Sequence, residues 1–530
     1  MALGLRKRTR RAAIARLSVL VPLLGLLGLL SSTIAPAAAS AASAGPTHGG
    51  TLNVMETSTF LGAWPAGLYP PTDTSDAADF PYMDAIYGDL FEMGDGAKLI
   101  PDLATGYHFS PDAKTVTVTL HPGLKFTDGT PLNSAAVKVN WEADLKGNAC
   151  ACASSFPLKS ISTPNPTTVV MHLTKPFSPI LDLLPQNALD WMWSPTAEKK
   201  MGAKAFALKP VGAGPFMVQS DSLNSKLVLV RNPHYFQKGL PYLNGITFSA
   251  VGNDNSAVDA LQTKAQDVEQ YFITYNLLQT VQKTLRAQQL AGTSVLDIQL
   301  NTSKAPFNNL NARKALLYAT DIPPIQKSLT SGVGLITQSP SVPGSAVYEP
   351  KVPGYPGYDL AKAKALVKQI GGLNFTLDTA SGGSQLQVSE ALVSEWKQAG
   401  INVKLDPLST LQAILNAFKA NDFGAIVQGV GGLTPFLNNG GSLFWRVASN
   451  GPFTTVHDPH MDQLLTAATS SINPETTAAA LKNAYAYIAQ KAYLLYIYGQ
   501  PYYNISQKNV HGPGISTNQP FIYWQSVWKG

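Results

Sequence analysis

Asp359-Leu360-Ala361-Lys362-Ala363-Lys364-Ala365-Leu366-Val367-Lys368-Gln369-Ile370-Gly371-Gly372-Leu373-Asn374-Phe375-Thr376-Leu377 is the stretch on which the fold turns. Leu360, Ala363, Leu366, Val367 and Ile370 recur at the three- and four-residue spacing of one helical face. Asp359 offers a side-chain oxygen to the free N–H groups of the first turn, and Gly371-Gly372 stop the helix. Phe375 and Leu377 then begin a strand. The unit repeats at once: Leu392, Val393 and Trp396 lie on a helix ending at Gly400, which feeds the alternating strand Ile401, Val403, Leu405. Strands alternating with helices predict a largely parallel α/β layer. Further on, Asp458-Pro459 starts a helix with proline at the tolerated first position, and an Ala-rich helix covers about Glu475 to Ala492.

The earlier half has another texture. Thr51-Leu52-Asn53-Val54 reads as a first strand, and Val116, Val118 and Leu120 alternate with threonines in the period-2 pattern of a half-buried strand. His121-Pro122-Gly123 and Asp128-Gly129 are tight turns, and Asn133 caps a helix through about Leu145. These features predict a hairpin-rich, antiparallel region.

The beginning of the chain is an address rather than fold. Arg6, Lys7, Arg8, Arg10, Arg11 and Arg16 precede an apolar run from Leu17 to Leu30, then small residues with Ala-x-Ala points such as Ala37 with Ala39. Pro22, Gly25 and Gly28 interrupt a run already short for a bilayer span, so a cleaved signal over 1–44 is expected rather than a retained anchor. Arg10-Arg11 lacks the bulky apolar pair of a twin-arginine signal, and no cysteine stands there for lipid attachment. This segment also carries the charge: the chain has 39 basic and 33 acidic residues, and 1–44 holds six basic and no acidic ones. The remainder is neutral, which removes the basic surface that nucleic-acid binding requires. A hydrophobic content of 45% excludes disorder, and what remains after 1–44 is too long for one core, so two or more lobes are expected. Cys150 and Cys152, two apart, read as a loop staple or free thiols, because a metal site would need further ligands nearby.

Several blocks together carry a resemblance. Ile100-Pro101-Asp102-Leu103-Ala104, Ser110-Pro111-Asp112 and Leu124-Lys125-Phe126-Thr127-Asp128-Gly129-Thr130-Pro131-Leu132 come first. Pro210-Val211-Gly212-Ala213-Gly214-Pro215-Phe216, Val230-Arg231-Asn232-Pro233-His234-Tyr235-Phe236, Pro306-Phe307 with Arg313-Lys314-Ala315-Leu316, and Tyr318-Ala319-Thr320-Asp321 follow. In this order they resemble the family 5 extracellular solute-binding proteins that serve peptide and nickel ABC importers. The resemblance implies an α/β, two-lobed, periplasmic-binding-protein-like fold of type II, in the large class with an inserted subdomain and mixed sheets. It implies a first lobe of 45–293 plus 500–530, with an insertion at about 84–210, and a second lobe of 294–499. Crossovers are expected near Asp297 to Leu300 and near Tyr496 to Tyr502. It further implies a monomer that passes a small-molecule or peptide solute to ABC permease transmembrane subunits, without a cofactor.

The signature blocks read as structural, so ligand contacts are expected elsewhere, on the crevice. By position the candidates are Thr57, Thr59, Trp64 and Tyr69, then Gln428 and Val430, then Phe444, Trp445 and Arg446, and Tyr498 at the hinge. Aromatic rings there suit an apolar or sugar-like face, and Arg446 suits a carboxylate; against this, such rings are as often core and such an arginine as often a solvated charge. One departure bears on the solute. Peptide-binding members carry a "GWxaD"-like segment whose Asp neutralises the peptide's amino terminus, whereas Gln428-Gly429-Val430-Gly431-Gly432-Leu433 puts Leu433 near that Asp position. Without an acidic partner a buried ammonium is costly, so either another acid substitutes or the solute is not an ordinary free peptide.

Catalytic signatures are missing: there is no Gly-x-Ser-x-Gly elbow, His-Glu-x-x-His helix or phosphate-binding Walker loop. His457 and His460 flank a helix start and read as an exposed cap rather than a metal site. No enzyme is expected; the alternative is a secreted glycan-binding protein or glycan hydrolase, whose paired carboxylates depend on folding rather than spacing.

Overall fold

The computed structural model describes residues 45–530, apart from 57–66, 73–79, 95–97, 148–156, 433–441 and positions 186, 252, 273, 291, 292, 342, 344, 382, 518 and 520. The expected signal segment and the cysteine pair lie outside the described residues. Among the described residues no helix is long and apolar enough to cross a membrane.

Three large sheets organise the rest. The first has seven strands in the order 286–289, 503–506, 268–272, 51–56, 245–250, 226–231, 216–222. Its centre is parallel: Thr51 pairs with Gly245 on one side of the strand Thr51–Glu56 and Val54 with Val268 on the other. The outer pairs are antiparallel. Leu52, Val54, Ile246 and Phe248 point into a core shared with Trp524, so the C-terminal segment closes the same layer the N-terminal strand opens.

The second sheet is wholly antiparallel, in the order 104–109, 115–120, 168–173, 158–165. The alternation Val116, Val118, Leu120 is buried as expected, under the helix Ser134–Gly147, whose first turn is capped by the Asn133 carboxamide accepting from Ala136 N–H. Trp141 from that helix is fully buried and its Nε1 donates to the Leu189 carbonyl at 2.7 Å, which satisfies the indole's one donor.

The third sheet has five strands in the order 401–408, 373–380, 425–432, 293–300, 494–500. Leu373 pairs with Ile401 and Leu377 with Ala425 in parallel, but the strand Thr293–Leu300 runs antiparallel to both its neighbours. The layer is therefore mixed: parallel where helix-strand units alternate, antiparallel where the chain enters and leaves. Asp359 caps the helix Leu360–Gln369 through Lys362 N–H, and Gly371 and Gly400 adopt φ of +80° and +78° at helix ends, a conformation that glycine tolerates best.

The chain passes from the seven-stranded to the five-stranded sheet between Gln289 and Thr293, and returns between Gln500 and Tyr503. The two passages lie side by side, Leu290 N–H donating to the Tyr502 carbonyl at 3.0 Å. The expected crossover at Asp297 to Leu300 is displaced: those residues sit inside the ladder, where Asp297 pairs with Gln428 on one side and Tyr496 on the other.

The motif blocks serve this frame. A Cβ on Gly212 would lie 2.2 Å from the Ile86 carbonyl oxygen, and one on Gly214 2.6 Å from that of Ala85, so only glycine lets the segment lie against the helix Phe80–Tyr87. Asp128 folds its turn by accepting from Thr130 N–H and also accepts from Ser194 Oγ, the cap of the helix Pro195–Met201. Arg231 donates to the Tyr242 and Leu243 carbonyls, and Arg313 to those of Phe307 and Lys491.

Candidate functional site

Gln428, Phe444, Trp445 and Arg446 come together where the helix Ser442–Val447 meets the five-stranded sheet. Asp297 is the anchor. It stands between Leu296 and Ile298, is fully buried, and its Oδ1 accepts from Arg446 Nη1 at 2.6 Å. Arg446 Nη2 donates to Gln428 Oε1 at 2.7 Å and to the Gly429 carbonyl at 3.1 Å. Burial pushes the Asp297 carboxyl up to about 6 even though Arg446 pulls it down, so desolvation outweighs the ion pair.

This arrangement bears on the reading of Arg446 as a solvated charge. It is 5% exposed and its two terminal nitrogens are engaged inside the protein. It is not a solvated charge, and its Nη1 and Nη2 already serve Asp297, Gln428 and Gly429. Its work is to bind the helix to the sheet. Phe444 and Trp445, next to it, pack against the core of the four-stranded sheet, Phe444 edge-on to Phe177 at 6.4 Å.

The other candidates scatter. Tyr69 is half-buried and packs against the core of the seven-stranded sheet, edge-on to Trp193 at 5.7 Å and Phe206 at 5.6 Å; burial first and then Glu198 push its hydroxyl up to about 12. Tyr498 is fully buried, in the cluster that also holds Leu296, Ile298 and the helix residue Leu316. The backbone of Val430 pairs with Val295 in the ladder. Thr57, Thr59 and Trp64 fall outside the described residues, as does Leu433. His460 sits at the start of the helix Pro459–Thr469, its ring edge-on to Tyr487 at 4.7 Å and its N–H on the Asp458 cap. Among the described residues no group of three or more His, Cys, Asp or Glu side chains is arranged to hold a metal ion.

Two features had no sequence signal. One is the Asp297–Arg446–Gln428 clamp, whose members are 149 and 18 positions apart. The other is a set of buried acids beneath the Pro101-Asp102 block: Asp84, Asp89, Glu92, Asp102 and Asp190. Burial, and then their mutual repulsion, push the carboxyls of Asp89 and Asp102 well up; burial raises Asp84 to about 6 and Glu92 to about 8. Amides and backbone N–H groups face them instead of bases: Gln237 donates to Asp102 at 2.6 Å, Gln525 to Glu92, and Leu90 N–H to Asp190 at 2.9 Å. Neutral acids with amide donors are the stable form of such a site, and they hold the C-terminal segment to the first layer.

Comparison with known proteins gives one answer. The family described as bacterial extracellular solute-binding proteins, family 5 middle region, matches residues 98–451. The glutathione-binding protein GsiB of Escherichia coli (strain K12) is 31% identical over 352 residues, covering 64% of this chain and 67% of that protein. The Pectobacterium atrosepticum GsiB is likewise 31% identical, over 350 residues. Among solved structures, DppA from Helicobacter pylori in complex with the peptide STSA superposes with a TM-score of 0.78 at 21% identity, over 91% of this chain and 98% of that one. AgaA in complex with agropinic acid, from A. tumefacien R10, gives 0.77 at 23% identity, over 91% and 99%. These structures share the two-lobed fold with mixed sheets. The matched region spans more than half of the sequence and holds the quoted blocks, so the chain belongs to the bacterial extracellular solute-binding proteins of family 5.

Proposed function

We propose that this protein is the extracytoplasmic binding component of an ABC importer, and that it closes its two lobes over a small peptide-like solute and presents it to the permease. The observation that carries the reading is the pair of adjacent passages between sheets, joined by the Leu290–Tyr502 hydrogen bond. Two short tethers side by side let rigid layers rotate about one line, which is the motion a solute trap needs. On this reading the first lobe is 45–293 with 500–530, the second 294–499, and the insertion spans about 84–210. The exported monomer loses 1–44 and performs no chemistry on its solute.

The solute we favour is γ-linked, as in glutathione. A γ-glutamyl head carries its own carboxylate on the carbon that bears the ammonium. The pair neutralises itself, and no protein Asp is needed where Leu433 stands. GsiB relatives bind glutathione by name, which supports this choice. The test is calorimetry of the mature protein with reduced glutathione and with α-linked Glu-Cys-Gly. Tight one-to-one binding of the γ-linked isomer, with the solute recovered intact, is expected. Preference for the α-linked isomer overturns the solute class; a cleaved product overturns the binding-protein reading.

A further inference from the structure

The strands Thr51–Glu56, Gly245–Ala250 and Val268–Phe272 at the centre of the first sheet run parallel, so their carboxyl ends leave the layer on one side. The chain departs for the five-stranded sheet from that same side: Tyr503, just after the return passage, pairs with both Gln289 and Phe272. In open α/β layers the solute binds beyond the carboxyl ends of the parallel strands.

Val268–Phe272 does not reach that edge straight. Glu269 pairs with Ile505 and Phe272 with Tyr503, so Gln270 and Tyr271 together stand opposite Asn504. This is a bulge, a device by which a strand re-aims a side chain. Tyr271 has a φ of +57°, which a bulky residue adopts rarely and under strain. Among the described residues every other non-glycine residue with positive φ ends a helix or lies in a turn between strands; Tyr271 is the one inside a strand. Asn504 fixes the bulge. It is 1% exposed, its Oδ1 accepts from Tyr271 N–H at 3.2 Å and its Nδ2 donates to the Gly514 carbonyl at 2.7 Å. The Tyr271 ring is half-buried, edge-on to Tyr502 at 5.9 Å and packed on the core of the first sheet. Tyr502 belongs to the return passage, and its carbonyl accepts the Leu290 hydrogen bond that joins the two passages. Backbone strain persists only where surrounding contacts enforce it, and it collects at ligand clamps and switches.

We propose that Tyr271 is a solute-contacting residue at the tether end of the crevice, held by the bulge and Asn504 in a strained conformation that turns its ring to the solute. The proposal rests on the crevice reading given above and names a residue that serves it. An aromatic face suits the flat peptide units and the sulfur-bearing side chain of a γ-linked tripeptide. Because the ring also touches Tyr502 on a tether, it stands where rotation of the layers would be felt first.

Tyr271→Ala and Tyr271→Gly both delete the ring, but only glycine relaxes the backbone. In urea unfolding of the mature protein the glycine variant should therefore have the higher midpoint, the reverse of the order at an ordinary strand position. Calorimetry should show glutathione binding weakened by about tenfold or more in both variants. Tyr271→Phe, which returns the ring, should regain most of that loss. A glycine midpoint at or below that of alanine overturns the proposal, as does undiminished affinity in the two ring-deleted variants. A phenylalanine variant as weak as alanine overturns it too, since the hydroxyl rather than the ring would then bind. A parent protein that takes the α-linked isomer instead sinks only the γ-linked solute, and the variants are then compared with that isomer. A parent that binds neither tripeptide sinks the peptide-like solute, and the order of the two midpoints still decides against or for a strained Tyr271.

Discussion

Exchanging Arg446 for methionine keeps a long, apolar stem and removes a guanidinium on which three acceptors rely. Asp297 Oδ1, Gln428 Oε1 and the Gly429 carbonyl all lose their donor. Asp297 decides the size of the effect. Its carboxyl already stands near 6 with the guanidinium beside it, so without Arg446 it takes up a proton at neutral pH instead of remaining a bare buried charge. Protonation caps the penalty. Hydrogen bonds to a charged group contribute about 1.5–3 kcal/mol each, and breaking one side of a buried pair destabilises by about 3–5 kcal/mol. We expect a loss in that range, read by urea unfolding at neutral pH through tryptophan fluorescence. The double change Asp297→Leu with Arg446→Met should regain most of it, since no unpaired charge is left inside. The loss should also shrink as pH falls through about 6, where Asp297 is protonated even in the parent protein. A single-variant loss under about 1 kcal/mol, the size of an exposed pair, would refute the clamp.

Asp84, Asp89, Glu92, Asp102 and Asp190 bind protons more tightly folded than unfolded, so stability must fall as pH rises from the unfolded carboxylate range near about 4, through Asp84 at about 6 and on to Glu92 at about 8. A Tm scan over that window should decline steadily; a Tm that climbs through it contradicts the neutral-acid reading. Gly214→Ala drives a methyl against backbone atoms 2.6 and 2.7 Å away that have no room to yield, and should remove about 3 kcal/mol, seen as a Tm drop of several degrees. Normal stability there would mean that the segment does not lie against Phe80–Tyr87. Asp458→Ala loses a helix cap and the acceptor of both the Tyr487 and Tyr493 hydroxyls, at 2.8 and 2.7 Å, for a total of about 2–3 kcal/mol in chemical denaturation. A change within error would show the tyrosines indifferent to it.

What the sequence disclosed was what local physics writes down. Leu360 to Ile370, with Asp359 before and Gly371 after, could only be an amphipathic helix, and Val116, Val118 and Leu120 could only face one core. The parallel character of the later layer was read too broadly, because the direction of Thr293–Leu300 follows from where the chain crosses between sheets, which no local pattern records. The site was harder. Tyr498 and Arg446 look the same in sequence whether they face solvent, ligand or core, and burial decides between these. Asp297, a lone acid between Leu296 and Ile298, gave no sign of the partner that lies 149 positions away.

The place of Tyr503–Ser506 in the first sheet has a consequence for the order of assembly. This strand lies between 286–289 and 268–272, so the edge strand 286–289 stands apart from the other five until the end of the chain arrives. Trp524 then enters the core beside Phe248, at 5.4 Å between rings. The five-stranded sheet, drawn wholly from 293–500, can form earlier on its own. If the chain is exported amino terminus first, as proposed above, 286–289 stays without its partner strand until the last residues clear the pore. On that reading completion of the first layer waits on release, and a chain cut short after Gln500 would leave 286–289 without a neighbour and the core without Trp524.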